Sequence, residues 1–273
     1  MKGYEKLEGE TKEWIKSRIS DDEVPHFVLE EGDRCPFLNE KGLCEMILQV
    51  GEDKLCDICS DHPRFRNFYS DFTEMGLGMC CEEAARVILN CEEPFELCLL
   101  NGDGNISPDD DEDFYIAYRQ RIFDILSKRG KSVLKRFEEV SEEFGFKFSD
   151  FSLKTLCDTY INMERLDSTW GDELLKLKDY TFDMKIFEDK KFQLPFEQLA
   201  CYFIFRHFTD ALWDGKMAER VKFCLAGCFI IGAFLSMHDE KSIEIMEDYA
   251  RRYSAEVEYS EENTEMLLDA IEE

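Results

Sequence analysis

The stretch AERVKFCLAGCFIIGAFLSM, residues 218–237, decides the fold class. Beyond its charged first turn it is apolar almost all round, and so is PFEQLACYFIFRHFTDALW, residues 195–213. A helix without a polar face must be buried among other elements. The most apolar part, Phe223–Met237, has 15 residues, fewer than the roughly 20 that a helix needs to span a bilayer. Both segments therefore predict the buried centre of a helical bundle.

Helical spacing of apolar residues continues through the rest of the C-terminal part. The segment that begins at Phe114 carries its apolar side chains on one helical face, and so does the segment that ends near Gly145. No alternating strand pattern and no internal repeat is visible. We expect a mostly α fold with at most a short hairpin. Helix ends are predicted at Gly130 and Gly145, and helix starts at Ser149, Pro195, Asp239 and Ser260.

The chain divides by composition into three zones. Residues 1–100 hold eight of the twelve cysteines, and residues 101–113 (NGDGNISPDDDED) form an acidic, turn-rich linker. Residues 114–273 carry the helical pattern. We therefore expect a cysteine-rich, metal-binding N-terminal region packed on a C-terminal helical bundle.

Composition limits the class of partner. Of 273 residues, 44% are hydrophobic, which excludes a disordered chain. The net charge of −28 argues against nucleic acid or an anionic membrane and favours a lysine-bearing protein or cationic ligand. Solubility alone is the other explanation of this acidity. No apolar signal segment follows Met1, so we expect a cytoplasmic protein with reduced thiols that are available to metal.

Four cysteines stand at positions marked by turn residues or helix starts. Cys35 precedes a proline, Cys44 follows Gly-Leu, Cys59 precedes His-Pro-Arg, and Cys81 opens the segment CEEAARVIL. Thiolates favour zinc or an iron–sulfur cluster. The gaps of 8, 14 and 21 residues fit either one equally. Buried cysteines without a metal are a third alternative.

The same residues resemble a known family. CPFLNEKGLCEMILQVGEDKLCDICSDHPR (residues 35–64) and GLGMCCEEAARVIL (residues 76–89) are similar to the cysteine-rich core of the flagellin lysine-N-methylases. The similarity continues through YFIFRHF (202–208) and SAEVEYSEEN (254–263). Members of this family commonly have a further CxxxCC-Gly-Trp segment ahead of CPFL. This chain has no counterpart of that segment, so the resemblance implies an N-terminally truncated member.

The resemblance implies a function and a set of site residues. It implies methyl transfer from S-adenosylmethionine to lysine side chains of flagellin. It also assigns Cys35, Cys44, Cys59 and Cys81 to one metal site, an iron–sulfur cluster or alternatively zinc. In the family, serine usually stands where this chain has Cys56 and Cys80, so these two are not expected to be ligands.

Two polar residues interrupt the apolar segment at 195–213. Arg206 and His207 are the candidates for a cofactor-binding pocket, and a satisfied buried pair is the structural alternative. No catalytic pair of acids stands out. Two functional classes stay open: a lysine methyltransferase, and a non-catalytic metal-binding protein derived from the same family that only binds a partner.

Overall fold

The computed structural model describes residues 7–22, 25–31 and 34–272. The chain forms two compact units, called here unit 1, up to His62, and unit 2, from Pro63 onward. This division falls earlier in the chain than the predicted acidic linker. The linker lies inside unit 2, and from Asp110 it is the first turn of a long helix.

Unit 1 is built around a small aromatic core. Its helices are α1 (Glu10–Lys16), α2 (Glu45–Val50) and α3 (Asp57–Asp61), with a 3₁₀ turn at Glu52–Lys54. Three hydrophobic residues are buried in this unit among the described positions: Ile15, Phe37 and Met46. The Phe37 ring meets the rings of Trp14 and Phe27 edge to face, at 5.2 and 5.0 Å between centroids. Cys35 and Cys44 border this core.

Unit 2 begins with a β-hairpin and is otherwise helical. The strands are β1 (Arg64–Phe68) and β2 (Thr73–Leu77), paired antiparallel with Asn67 opposite Glu74. The helices that follow are α4 (Glu82–Leu89), α5 (Asp110–Leu126), α6 (Val133–Glu143), α7 (Leu153–Asn162), α8 (Ser168–Lys178), α9 (Gln193–His207), α10 (Ala211–Asp214), α11 (Met217–Ser236), α12 (Ile243–Tyr253) and α13 (Glu261–Glu272).

Helices α9 and α11 form the centre of unit 2, as their apolar sequences predict. Most residues of both helices are buried, and so is every residue of α11 from Phe223 onward. Gly227 allows close approach, because a Cβ at this position would lie 2.9 Å from the Phe203 ring. None of the helices in the described part of the chain is long and apolar enough to cross a membrane.

One face of the hairpin packs on α9. Phe65 and Gly76 lie opposite each other on this face, and the Phe65 ring lies 5.6 Å from that of Phe205. Asn67 Nδ2 donates to the carbonyl oxygen of Phe205 at 2.8 Å. The hairpin thereby carries its following segment, residues 78–81, to the side of α9.

The mostly α prediction is confirmed, and a two-stranded hairpin accompanies it. Among the helix boundaries, Ser260 precedes α13 and accepts the N–H of Asn263, and Gly145 follows α6 with φ +83°. The helix starts predicted at Ser149 and Asp239 lie three residues too early, because Ser152 caps α7 and Ser242 caps α12. Proline 195 lies in the first turn of α9, and α5 ends at Leu126, before the predicted Gly130.

Candidate functional site

A π-helical turn at Ser254–Glu258 joins α12 to α13. In α12 the buried hydrophobic positions Met246, Tyr249, Ala250 and Tyr253 follow ordinary helical spacing. The wider turn then buries Glu256, Val257 and Glu258 in sequence. A π turn of this kind changes which residues face inward, and such turns are frequent at functional sites. Here it directs an acidic side chain into the core of unit 2.

The Glu258 carboxylate is completely buried and has three polar neighbours from α9. His207 Nε2 lies 2.6 Å from Oε1, and the Tyr202 hydroxyl donates to Oε2 at 2.9 Å. Arg206 Nε lies 3.4 Å from Oε1. Tyr202 also accepts hydrogen bonds from the backbone N–H of Met79 and from Arg206 Nη1. We call these side chains, Tyr202, Arg206, His207 and Glu258, the acid–base cluster.

The charges in this cluster are set by opposing effects. Burial by itself raises the pKa of the Glu258 carboxyl, but Arg206 and the hydrogen bond from His207 lower this pKa to about 2. Burial lowers the pKa of His207, an effect that Glu258 opposes only in part. We therefore assign an ionised carboxylate and a neutral imidazole. With the carboxylate as acceptor, the hydrogen is assigned to Nε2, and the lone pair is left on Nδ1.

Arg206 connects this cluster to the surface. Its guanidinium lies between the rings of Phe65 and Tyr259, at 5.0 and 4.5 Å from their centroids. Tyr259 is 48% exposed, and its hydroxyl interacts with the thiol of Cys80. Gly78 permits this arrangement, since a Cβ there would lie 2.2 Å from the Tyr259 hydroxyl oxygen. The surface end of the cluster therefore presents an aromatic ring, a cation and a thiol.

Two other buried carboxylates in unit 2, Glu74 and Glu197, have arginine as their charged partner. Arg119 contacts both oxygens of Glu74, at 2.5 and 2.7 Å. Glu197 is held by Arg136 and Arg129 together. Glu74 also accepts from the Tyr69 hydroxyl, so Glu258 differs from the other two by its neutral imidazole neighbour, His207. This composition makes it the candidate for proton chemistry, while the other two pairs fit a structural role.

In unit 1 the electrostatic environment of Cys59 includes three other cysteines. Cys44 and Cys56 immediately precede α2 and α3. The Cys59 thiol hydrogen-bonds with that of Cys56, and Cys35 and Cys44 also contribute to its electrostatic environment. Desolvation first, and then these neighbouring thiols, raise the pKa of Cys59 to about 12, although the residue as a whole is exposed. Three of the four predicted ligands are therefore electrostatic neighbours, and Cys56 accompanies them.

Cys81 belongs to unit 2, where it immediately precedes α4 as the sequence predicts. Its assignment to a common site with Cys35, Cys44 and Cys59 stays a prediction. Across the described ranges, no three His, Cys, Asp or Glu side chains are already arranged to hold a metal ion. The cysteines on the apolar helices are buried, as expected for core residues: Cys157, Cys201, Cys224 and Cys228.

The sequence pointed to Arg206 and His207 of the acid–base cluster but not to their partner Glu258. Arg206 and His207 stood out as polar residues in an apolar helix. Glu258 did not, because it adjoins Val257 in an acidic segment, and only the π turn makes both residues face inward. One feature of the sequence could have pointed to Glu258: both residues lie in segments that carry the family resemblance, His207 in 202–208 and Glu258 in 254–263. These two segments contact each other through His207 and Glu258.

Comparison with known proteins returns no similarity: no family model matches the chain, and neither a curated protein nor a solved structure matches it.

Proposed function

We propose that the protein is an S-adenosylmethionine-dependent methyltransferase that acts on lysine side chains of flagellin in the cytoplasm, before export. One observation carries this proposal: the buried, ionised Glu258 with the neutral His207 at 2.6 Å. The resemblance at residues 35–64, 76–89, 202–208 and 254–263 suggests the substrate and the methyl donor.

Methyl transfer to a lysine requires that its amine first lose a proton. An unperturbed lysine has a pKa of about 10.4, so it is charged at neutral pH. His207 can accept that proton at Nδ1, because Nε2 carries its hydrogen toward Glu258. The carboxylate of Glu258 then stabilises the imidazolium that forms. Burial of the whole cluster favours the neutral amine as well.

The groups at the surface end of the cluster suit the methyl donor. S-adenosylmethionine, when bound, supplies the methyl group on a cationic sulfonium. Arg206 uses part of its N–H fork on Tyr202 and on Glu258, and the remaining N–H groups can bind a ligand carboxylate. The half-exposed ring of Tyr259 can lie against a sulfonium through a cation–π contact. We assign Arg206 and Tyr259 to cofactor binding.

Transfer of label from S-adenosylmethionine to purified flagellin tests the proposal directly. The informative variant is His207→Gln, because the amide can still donate to Glu258 but offers no imidazole base. We expect transfer to fall by about 10²–10⁴-fold, the usual contribution of a general base. His238→Asn is the matched control, since the His238 imidazole hydrogen-bonds to Tyr249 and lies outside the cluster. Equal activity of the wild-type protein and His207→Gln would overturn this role for His207.

Binding of the methyl donor is measured separately from transfer. A ligand that binds only the folded state raises the unfolding temperature. S-adenosylmethionine should therefore shift the thermal unfolding of unit 2 in the wild-type protein, and less so in Arg206→Lys or Tyr259→Leu. Absence of both the shift and label transfer in metal-replete protein would refute the methyltransferase proposal.

The alternative function is a metal-binding protein without catalysis, and the thiols of unit 1 favour it. Cys35, Cys44, Cys56 and Cys59 supply four soft donors in one small unit. An iron–sulfur cluster or zinc there would order the unit, because metal-binding energy is partly folding energy. Metal content and the absorption spectrum of anaerobically purified protein distinguish cluster, zinc and no metal. Bound metal without methyl transfer would support this alternative.

A further inference from the structure

Residues 96–106 of unit 2 are exposed at every position, although the chain is fixed at both ends. On one side the Phe95 ring packs on Phe123 at 4.4 Å, and Gln198 donates to the carbonyl oxygen of Glu93 at 2.7 Å. On the other side the N–H of Ser107 donates to Asp71 at 2.8 Å. We call residues 96–106 the arch.

The arch exposes apolar side chains that a solvated loop does not require. Leu97, Cys98, Leu99 and Leu100 are four consecutive exposed apolar residues, and the three leucines are 50%, 63% and 63% exposed. Ile106 at the other end of the arch is 53% exposed. Consecutive exposed apolar residues are unfavourable in a folded domain unless they bind something.

The ionisable side chains next to these leucines in sequence are all acidic, and Arg129 is a cation that approaches them in space, where its Nη1 donates to the carbonyl oxygen of Glu92 at 2.9 Å. Residues 91–113 contain nine Asp or Glu and not one Lys, Arg or His. Two of the nine have structural roles, since Glu112 accepts from Ser70 and Asp109 caps α5. Most of the others, such as Glu92 and Glu96 before the leucines, are exposed. The apolar run is therefore surrounded by carboxylates that have no cation beside them in sequence.

We propose that the arch is the docking surface for a cationic amphipathic segment of the lysine-bearing protein substrate. The inference rests on the proposed function for the identity of that protein. Leucines would meet the apolar side of the segment, and the flanking carboxylates would attract its lysines. A second copy of this chain, nucleic acid or an anionic membrane would bring further negative charge to the same surface, which disfavours each of them.

Synthetic peptides provide the probe, because their pattern and charge can be varied independently. One 18-residue peptide of lysine and leucine places the leucines on one helical face, and a second has the same composition in scrambled order. A third replaces each lysine by glutamate. We expect the full chain to bind the first peptide at least tenfold more tightly than the other two, with affinity that falls as salt rises.

Two variants connect this binding to the arch. The triple change Leu97→Ser, Leu99→Ser and Leu100→Ser should weaken binding at least tenfold, whereas Leu166→Ser, at a leucine that is 79% exposed elsewhere in unit 2, should not. Glu92→Gln with Glu96→Gln removes charge alone and should reduce the salt dependence. This double variant also keeps the test valid if the triple variant does not fold, as judged by circular dichroism.

The outcomes separate this inference from the proposed function. Unchanged peptide affinity in both the triple leucine variant and the double glutamate variant overturns the docking surface, even if flagellin is methylated normally. Arch-dependent binding without any methyl transfer supports the docking surface and counts against the enzyme. If sedimentation shows a wild-type dimer that the triple variant abolishes, the occupant is a second copy and the proposal is wrong.

Discussion

Unit 1 and unit 2 are stabilised by different means. Unit 2 has a large continuous core centred on α9 and α11, with many aromatic ring contacts such as those of Phe95 with Phe123 and of Phe234 with Trp170. Unit 1 buries three hydrophobic residues among its described positions and contains four neighbouring thiols. A segment of about 60 residues is only marginally stable on its own, because it buries a smaller fraction of its surface than a larger domain does.

This difference indicates which kind of interaction controls each unit. In unit 2, packing of the large core supplies enough stability to offset the free-energy cost of burying the charge of Glu258. In unit 1, the small core gives the thiols and any bound metal a proportionally larger role. Perturbing the thiols should therefore affect unit 1 alone, and perturbing the buried charges or the core should affect unit 2 alone.

Removal of the metal that we propose for unit 1 should have the largest effect on stability. Structural zinc sites contribute about 10–16 kcal/mol of apparent binding energy to folding, so we expect a strong chelator to unfold unit 1. Limited proteolysis with mass spectrometry should then find cleavage within residues 34–62 and continued protection of α9 and α11.

Cys59→Ser should reproduce the effect of the chelator, and Cys98→Ser, at an exposed cysteine outside the thiol group, should not. Cys81→Ser tests whether a residue of unit 2 contributes a ligand. Equal protease resistance of unit 1 with and without chelator would show that its fold is independent of metal.

Glu258→Gln should have the next largest effect, this time on unit 2. It leaves Arg206 buried without its counter-charge, and breaking a buried pair in this way costs about 3–5 kcal/mol. Denaturant unfolding should show the loss as a lower midpoint. The control is Glu262→Gln at an exposed position of α13, which we expect to change the unfolding free energy by less than about 0.5 kcal/mol.

Acid should weaken unit 2 through the same carboxylate. The pKa of Glu258 is lowered from 4.5 to about 2 in the fold, so its contribution to stability is complete above pH 4.5 and is lost as the pH falls toward 2. The shift corresponds to about 3 kcal/mol. The pKa of His207 is also lowered from 6.5, chiefly by burial, so the folded state resists its protonation. This group therefore also makes unit 2 less stable as the pH falls, beginning just below pH 6.5.

The pH dependence can be measured by unfolding unit 2 between pH 7 and pH 3. Over this range the wild-type protein and Glu258→Gln should become closer in stability as the pH falls. A difference between the two proteins that stays constant with pH would contradict the assigned ionisation of Glu258.

Gly227→Ala should have a smaller effect on stability than metal removal, Glu258→Gln or acid. Its new Cβ would lie 2.9 Å from the Phe203 ring and 3.2 Å from that of Tyr253. We expect a cost of about 1–3 kcal/mol from overpacking, reduced by the better helix propensity of alanine. Gly130→Ala, where a Cβ meets nothing within 4 Å, is the control. If Gly227→Ala and Gly130→Ala change the thermal unfolding midpoint of unit 2 equally, the close packing of α9 on α11 does not require a glycine at position 227.

The mostly α fold and its buried centre were predictable because both depend on local pattern. Apolar residues all round the segments at 195–213 and 218–237 exclude a surface helix, and this holds whatever their partners are. Ser260 and Gly145 marked helix boundaries for the same reason, since a cap acts on its own backbone. Asp239 failed as a helix start because Ser242 could cap the same helix, and sequence alone does not rank two adjacent caps.

The chain sequence by itself thus determined the helical class, the central helices and the positions of Arg206 and His207 within one of them. Tertiary structure decided that Glu258, 51 residues from His207, is their partner. It also decided that unit 2 begins at Pro63 and that the acidic residues after Leu100 belong to a surface of this unit. The physical reason is that burial of a charge depends on long-range contacts and on a π turn, neither of which leaves a periodic signal in the sequence.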